Sequence, residues 1–138
     1  MNIKRGVINP NMKEVNKMGV AKENLEKIIE KVNQNQKARN VFVTNLAGKD
    51  VNWDMSFQFK LDQEDPFYLE ISERMGKIHD GQAEDPDIIL TGDNEAIVRI
   101  CNGEGDFTHA ISREQITVEK GKVMEVVRLT RAITTALR

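Results

Sequence analysis

The hydrophobic and polar positions of this chain change from a helical period to an alternating one and back. Residues 20–39 place aliphatic side chains at the i, i+3, i+4, i+7 spacing of one helix face. Residues 51–61 and 67–73 then alternate between apolar and polar positions, which predicts strands with one face in water. The helical period returns over residues 93–111 and 122–137. This order predicts an α+β domain in which helices cover a sheet.

The central part of the chain predicts an antiparallel meander of closely spaced strands. Alternate residues of the first strand share one face: Trp53, Met55, Phe57, Phe59 and Leu61. Residues 75–77 (MGK) are predicted to form a hairpin turn, with a short strand around Ile78 and a further strand from Asp87. Residues 41–43 fit either a short strand or a buried last helical turn, followed by a turn at residues 48–50.

The C-terminal part of the chain predicts two short helices, a strand and a final helix. Asp93 is a candidate N-cap for the first helix, and residues 103–105 (GEG) end it. The second short helix covers residues 107–111, and the strand covers residues 115–119. The final helix has a predicted apolar stripe of Val123, Val126, Val127, Ile133 and Leu137. Short, loosely linked helices can leave space between themselves and the sheet.

Length and composition fit one domain in a reducing compartment. The 138 residues carry a net charge of -2, and Lys and Arg are spread along the chain, which argues against a nucleic-acid partner. The one cysteine, Cys101, excludes an intramolecular disulfide. No apolar run suits a secretory signal or a transmembrane helix, so we expect a cytoplasmic protein. Residues 1–19 lack clean periodicity and are predicted to form an N-terminal arm on a single domain of residues 20–138.

Three segments of the chain carry a family resemblance. Residues 87–91 (DIILT), followed by Asp93, fit a strand with an acidic helix cap. Residues 66–77 (PFYLEISERMGK) fit a central meander, and residues 115–118 (QITV) fit a last strand that leads into a C-terminal helix. Their order over residues 20–138 resembles the sterol carrier protein type 2 domain, also called the non-specific lipid-transfer fold.

The resemblance implies a five-stranded, mostly antiparallel sheet with helices on one face and an apolar tunnel between them. It also implies binding of a fatty acyl chain, acyl-CoA, phospholipid or sterol, by a standalone carrier or by a module of a larger enzyme. Two features depart from the family pattern, because residues 40–50 are extra chain and the arm of residues 1–19 has no counterpart. The family lacks catalytic residues, so no catalytic motif can be carried over.

An apolar ligand cavity needs walls with few polar groups, because a hydrocarbon tail cannot replace their hydrogen bonds to water. The candidate ligand-binding residues come from the sheet, the short helices and the last helix: Phe57, Phe59, Leu69, Ile71, Ile97, Ile100, Cys101, Phe107, Ile111, Val126 and Ile133. The alternative is that these residues form a filled core. Periodicity does not separate the two cases.

Other chemistry has weaker support in the sequence. Cys101 with His79 or His109 could form a thiol and a base, but a cysteine on the apolar side of a helix is usually buried and inert. Two His, one Cys and scattered carboxylates do not predict a metal site. The glycines of residues 103–105 lack the surroundings of a phosphate loop. Four basic residues could meet a lipid headgroup or CoA phosphates, or could form a solvated face: Lys120, Lys122, Arg128 and Arg131.

Three functional hypotheses follow. The first is a lipid or acyl-chain carrier with an apolar cavity and without catalysis, cofactor or metal. The second is an interaction or accessory domain with a filled core that acts through a dimer or an enzyme partner. The third is an enzyme that uses Cys101. The sequence does not set the ligand or the oligomeric state, and it leaves open a transient contact with a membrane surface.

Overall fold

The computed structural model describes residues 20–138, which form a five-stranded sheet with helices on one face and a separate hairpin. The helices are α1 (Val20–Asn33), α2 (Gln36–Arg39), α3 (Asn94–Cys101), α4 (Phe107–Ser112) and α5 (Val123–Leu137). The strands are β1 (Val43–Leu46), β2 (Lys49–Asn52), β3 (Met55–Leu61), β4 (Phe67–Ser72), β5 (Met75–Asp80), β6 (Ile88–Gly92) and β7 (Ile116–Lys120). The predicted arm of residues 1–19 lies outside the described residues.

The main sheet has the strand order β5-β4-β3-β6-β7. Neighbouring strands are antiparallel except for the central pair, in which β3 and β6 run parallel with Phe59 opposite Leu90. The predicted five-stranded, mostly antiparallel sheet is therefore confirmed. The simple meander is correct for β3, β4 and β5 but wrong for β6, which pairs with the other edge of β3. Helices α3 and α4 lie in the connection from β6 to β7, which are neighbours at that side of the sheet.

One face of the sheet carries the core. Phe57 on β3 lies opposite Leu69 on β4, on the same face as Phe59, and all three side chains are fully buried. Helix α1 lies close above β5, because a Cβ built on Gly76 would stand 2.8 Å from Cγ2 of Ile29. Only glycine permits this approach. The apolar residues of the sheet and the helices thus form one cluster.

The helix predicted for residues 20–39 is interrupted at residues 34–35, in its last third. Helix α1 ends at Asn33, and the side chain of Asn35 accepts a hydrogen bond of 3.0 Å from the backbone N–H of Ala38, which starts α2. Asparagine is a strong N-cap, so the polar end of the segment begins a new helix. The predicted apolar stripe is confirmed, since its members are all buried: Leu25, Ile28, Ile29 and Val32.

Residues 43–52 form a two-stranded hairpin that the sequence did not predict, although a turn near Gly48 was expected. The strand predicted for residues 51–61 is therefore wrong as a single element. The backbone N–H of Trp53 donates to the carbonyl oxygen of Phe42 at 2.9 Å, which ends the hairpin before β3 begins. The break preserves the alternation of side chains, so the pattern alone gave no sign of it.

Two predictions differ from the structure in detail: the position of one turn and the members of one apolar stripe. The turn between β4 and β5 lies at Glu73 and Arg74, both with positive φ, rather than at residues 75–77. In α5, the predicted stripe is partly wrong, because Val123 and Leu137 are exposed. The buried face of α5 consists of Val126, Leu129, Ala132 and Ile133.

The acidic cap and the glycine break of the helical cover are as predicted. The side chain of Asp93 accepts a hydrogen bond of 3.0 Å from the backbone N–H of Glu95 at the start of α3. After the break at residues 103–105, Asp106 accepts one of 2.8 Å from the backbone N–H of His109 and begins α4. The cover is therefore made of short helices with separate caps, which leaves helix ends at the edge of the core.

Gln58 lies on the face of β3 that was expected to be in water, yet it is only 1% exposed. Its amide nitrogen donates to the carbonyl oxygens of Phe67 at 3.0 Å and Gly81 at 3.1 Å. Its amide oxygen accepts from the backbone N–H of Ala83 at 2.6 Å. These bonds attach the loop between β5 and β6 to the outer face of the sheet.

Candidate functional site

A cleft of about 550 Å³ lies where α1 passes the C-terminal ends of α3 and α5, and we call it the α1–α5 cleft. Its lining consists of Asn24, Lys27, Ile28, Glu30, Lys31, Gln34, Cys101, Asn102 and Leu137. Ile28 and Cys101 are buried and form its inner surface, whereas most of the polar residues are exposed at its rim. Its volume falls within the range of about 300–1,000 Å³ that is typical of small-molecule sites.

A lesser cleft of about 170 Å³ lies on the other side of Leu137. Its lining consists of Ile100, Gly103, Gly105, Thr130, Ile133, Thr134, Leu137 and Arg138. Leu137 belongs to both clefts and is 38% exposed. It also lies close to Gly103, where a built Cβ would be 3.5 Å from Cδ1 of Leu137. The last turn of α5 therefore carries an apolar side chain that separates two openings.

Charged side chains lie at the rims of both clefts. Lys27 and Lys31, one helical turn apart on α1, border the α1–α5 cleft, and Arg138 borders the lesser cleft. Glu30 is the single carboxylate among the lining residues given above. The clefts thus combine a buried apolar floor with a rim of net positive charge. This arrangement suits a ligand with an apolar body and an anionic end.

The structure places the sequence-predicted ligand-binding residues in three groups. Most of them lie within the packed core and are at most 1% exposed: Phe57, Phe59, Leu69, Ile71, Ile97, Phe107 and Val126. Ile100, Cys101 and Ile133 also belong to the core but reach the lining of a cleft. Ile111 is half-buried and packs against the edge of the core. The predicted residues are thus brought together, and three of them lie where the core meets an opening.

Sequence reasoning missed the side chains that form the openings themselves. Ile28 was assigned to the apolar stripe of α1, and Leu137 to that of α5, but neither was proposed as a lining residue. The polar rim residues Lys27 and Lys31 were not singled out either. Helical spacing showed which of these side chains share a face with the stripe. The spacing gave no indication that the C-terminal ends of α3 and α5 lie beside the apolar face of α1.

Cys101 has the properties of a buried, unreactive thiol. It is 5% exposed, and burial raises its pKa from 9.0 to about 12. A thiol with this pKa holds very little thiolate at neutral pH, and the thiolate is the nucleophilic form. The imidazoles that could have served as bases have acidic partners instead, Glu70 at 3.1 Å for His79 and Asp106 at 3.0 Å for His109.

The acidic side chains and the imidazoles of the described residues do not form a metal site. Within residues 20–138, no group of three or more His, Cys, Asp or Glu side chains is arranged to hold a metal ion. The acidic residues near the loop between β5 and β6 are exposed instead, and Asp85 accepts a hydrogen bond of 3.1 Å from Nζ of Lys120. The apolar clefts therefore remain the candidate site.

The sequence of this chain matches one protein family. Its sequence matches the model of the SCP-2 sterol transfer family over residues 22–133. The chain belongs to this family. Members are generally lipid-binding domains without catalysis, so membership indicates the binding or transfer of lipids or sterols. The match extends from α1 into α5 and ends just before Leu137.

Solved structures of SCP-2 domains share the fold. A UbiJ-SCP2 ubiquinone synthesis protein has a TM-score of 0.62 at 14% identity, over 85% of this chain and 95% of its own. Sterol carrier protein-2 like-3 from Aedes aegypti has a TM-score of 0.60 at 16% identity, over 83% and 96%. Palmitated SCP2L2 from Aedes aegypti has a TM-score of 0.52 at 18% identity, over 78% and 92%. At these identities the likeness establishes the fold alone.

Part of a larger enzyme has a similar fold. The sec-alkylsulfatase Pisa1 from Pseudomonas sp. matches with a TM-score of 0.50 at 13% identity, over 56% of this chain and 12% of that enzyme. Just over half of this chain thus corresponds to a small part of the sulfatase. No curated protein matches the sequence.

Within residues 20–138, none of the helices has the length and apolar character needed to span a bilayer.

Proposed function

We propose that this protein is a lipid carrier that holds the hydrocarbon part of its ligand between the sheet and the helices, without catalysis. The observation that carries the proposal is the position of Leu137, an exposed apolar side chain between two clefts. Directly inside it lie Ile100 and Ile133, which belong to the core. The apolar surface therefore continues from the mouth of the clefts into the core.

The proposed route of entry follows from this arrangement. Movement of Leu137 away from Gly103 joins the two clefts and exposes Ile100 and Ile133 to an incoming chain. A helix end is suited to such a movement, because its last carbonyl groups lack partners within the helix. The apolar tail then lies along the predicted lining, and its polar end stays at the rim near Lys27 and Lys31.

The ligand is a hydrophobic small molecule of one of four kinds: a fatty acyl chain, an acyl-CoA, a phospholipid or a sterol-like compound. Burying a tail of ~16 carbons contributes roughly 12 kcal/mol at ~0.8 kcal/mol per CH₂, before the costs of ordering. That is enough for useful affinity if part of the tail is enclosed. The basic rim favours ligands with a phosphate or carboxylate end. We expect the carrier in the cytoplasm, in transient contact with membrane surfaces where it loads.

The first test is native mass spectrometry of gently purified protein, followed by organic extraction and identification of lipids. We expect a co-purified species that disappears on denaturation. If the mass is that of the bare chain, and stays so after incubation with palmitate and palmitoyl-CoA, the carrier proposal is wrong.

A matched pair of variants locates the site. Leu137→Gln and Met75→Gln each replace a similarly exposed apolar side chain, 38% and 44% exposed, but Met75 lies on β5 away from both clefts. We expect Leu137→Gln to weaken palmitate binding about fivefold, since removing roughly 1 kcal/mol of apolar contact has this effect. Met75→Gln should bind as the wild type does. Equal binding by both variants would remove Leu137 from the site.

A second candidate function is an interaction or accessory domain with a filled core, acting through a dimer or an enzyme partner. Two observations favour it: most predicted lining residues are at most 1% exposed, and one highly similar fold belongs to a ubiquinone synthesis protein. The same mass spectra test it. A bare chain in a stable homodimer, or bound to a co-purified enzyme, would establish this function in place of the carrier.

A further inference from the structure

A second groove, of about 410 Å³, lies between the β1–β2 hairpin and the first half of α5, and we call it the hairpin groove. Its lining consists of Thr44, Trp53, Met124, Glu125, Val127, Arg128 and Arg131. Four of its five α5 residues follow the i, i+3, i+4, i+7 spacing of one helix face: Met124, Val127, Arg128 and Arg131. The groove shares no lining residue with either lipid cleft, and at a rise of ~1.5 Å per residue its far end at Met124 is roughly 20 Å from Leu137.

Two arginines of the hairpin groove have no acidic partner among the described residues. The guanidinium carbon of Arg128 lies 4.9 Å from the ring centroid of Trp53, and its Nη1 donates to Oγ1 of Thr44 at 2.9 Å. Arg131 is exposed one turn further along α5. Neither belongs to an ion pair of residues 20–138. The carboxylate of Glu125 faces the backbone N–H of Lys122 at 3.1 Å.

The hairpin separates its charges between its two faces. In the β1–β2 register, Leu46 pairs with Lys49 and Thr44 pairs with Val51, so these four side chains share the face that borders α5. The acidic residue Asp50 points to the opposite face, where it accepts a hydrogen bond of 3.2 Å from Asn45. The face towards the groove is therefore apolar and basic.

The same end of the molecule holds most of the exposed apolar surface. Six large apolar side chains of residues 20–138 are strongly exposed, and four of them surround the hairpin groove. Met124, at 73%, lines the groove, and Val123, at 43%, precedes it on α5. Leu46 at 57% and Val51 at 42% lie on the hairpin face that carries Thr44. A cluster of this kind on a small domain marks an interaction surface.

We propose that this face docks on an anionic lipid bilayer, with the phosphate of one lipid held in the hairpin groove by Arg128 and Arg131. Apolar side chains such as Met124 enter the headgroup region, and basic ones meet its negative charge. Guanidinium groups suit phosphate because their N–H donors match its oxygens in pairs. A second copy is disfavoured as the occupant, because an isologous contact would bring like charges together.

This inference rests on the proposed function in one respect only, because the purpose of docking is to bring the lipid carrier to its lipid. The test is co-sedimentation with vesicles of phosphatidylcholine alone or mixed with phosphatidylglycerol. Trp53, the single tryptophan of the chain, reports directly from the groove by its emission. We expect binding to the phosphatidylglycerol vesicles, with a blue shift, and little binding to phosphatidylcholine.

Matched variants assign the effect to the groove. Arg131→Gln should lower the partition coefficient about fivefold, which corresponds to about 1 kcal/mol for one basic residue near an anionic surface. Arg113→Gln, a change of the same kind at the exposed end of α4, should have no effect. Met124→Ser should also lower the partition coefficient, and far-ultraviolet circular dichroism checks that each variant is folded.

Several outcomes would overturn the proposal. Equal binding to both vesicle types, or equal losses in Arg131→Gln and Arg113→Gln, would exclude a role for the groove. A Trp53 response to inorganic phosphate without vesicle binding would indicate a site for a soluble anion. A dimer broken by Met124→Ser, without vesicle binding, would make the face an interface between copies. Leu137→Gln separates this proposal from the carrier, since it should bind palmitate more weakly but keep vesicle binding.

Discussion

At the scale of single residues, a carboxylate from a distant loop starts the first helix. The two oxygens of Glu64 accept hydrogen bonds from the backbone N–H groups of Ala21 at 2.8 Å and Lys22 at 3.3 Å. Burial raises the pKa of Glu64 above its ordinary value of 4.5, although these hydrogen bonds act in the opposite direction. Glu64 lies between the strands predicted for residues 51–61 and 67–73, and no local pattern connects it to a helix 43 residues earlier.

A pH prediction follows for Glu64. Because the folded state holds this proton more tightly than the unfolded state, the contribution of Glu64 to stability falls as the pH rises from 4.5 through the raised pKa. We expect the free energy of unfolding of Glu64→Gln, relative to wild type, to rise across this window in urea titrations. Glu84→Gln, in the exposed loop before β6, should show no such trend. A parallel pH dependence in all three proteins would contradict the assignment.

Cys101 shows the same limit of residue-level reasoning. Its position on the apolar side of a predicted helix indicated a buried thiol, and its burial is confirmed. Its place in the α1–α5 cleft depends on α1 and on Leu137, which lie far from it in sequence. The sequence neighbours of Cys101 therefore predicted its burial, but they did not predict which cleft it borders.

At the scale of elements, local chemistry predicted helix starts better than strand ends. Asp93 was identified because an N-cap acts on the backbone two residues ahead, within reach of sequence inspection. The hairpin was missed because residues 43–52 are mostly exposed and lack a buried face to impose a period. Trp53 then continues the alternation of β3 in phase. Only its hydrogen bond to Phe42 separates the two elements.

Gly92, at the end of β6, provides a test at this scale. It has a φ of 137°, and a Cβ there would clash with the carbonyl oxygen of Gln115, which also accepts the N–H of Asp93. We expect Gly92→Ala to lower the free energy of unfolding by about 1–3 kcal/mol or more, measured by urea denaturation. Gly105→Ala has no atom within 4 Å of its new Cβ and should change stability by less than ~0.5 kcal/mol. Equal losses would show that the strand end tolerates a side chain.

At the scale of the whole molecule, the order of elements was predictable, whereas the spaces between them were not. Each apolar face of a helix or sheet must pack against another element, and the changes between helical and alternating patterns showed how many such faces the chain has. The α1–α5 cleft arises where α3 and α5 end beside α1, and the lesser cleft lies between the ends of α3 and α5, so both depend on helix lengths and crossing positions. Leu137 illustrates this, since the pattern placed it in a buried stripe and the fold leaves it at the mouth of two clefts.

Ligand binding at this mouth should change the stability of the whole domain. A ligand that binds only the folded state adds about 2.7 kcal/mol when its free concentration is ~100 times its Kd. For a domain of this size, we expect palmitate to raise the Tm of delipidated protein by several degrees in calorimetry. Leu137→Gln should give a smaller rise at the same palmitate concentration, and Arg131→Gln the full rise, because Arg131 lines the hairpin groove and neither lipid cleft. An unchanged Tm at saturating palmitate would mean that the core is filled, and the accessory function would then account for the fold.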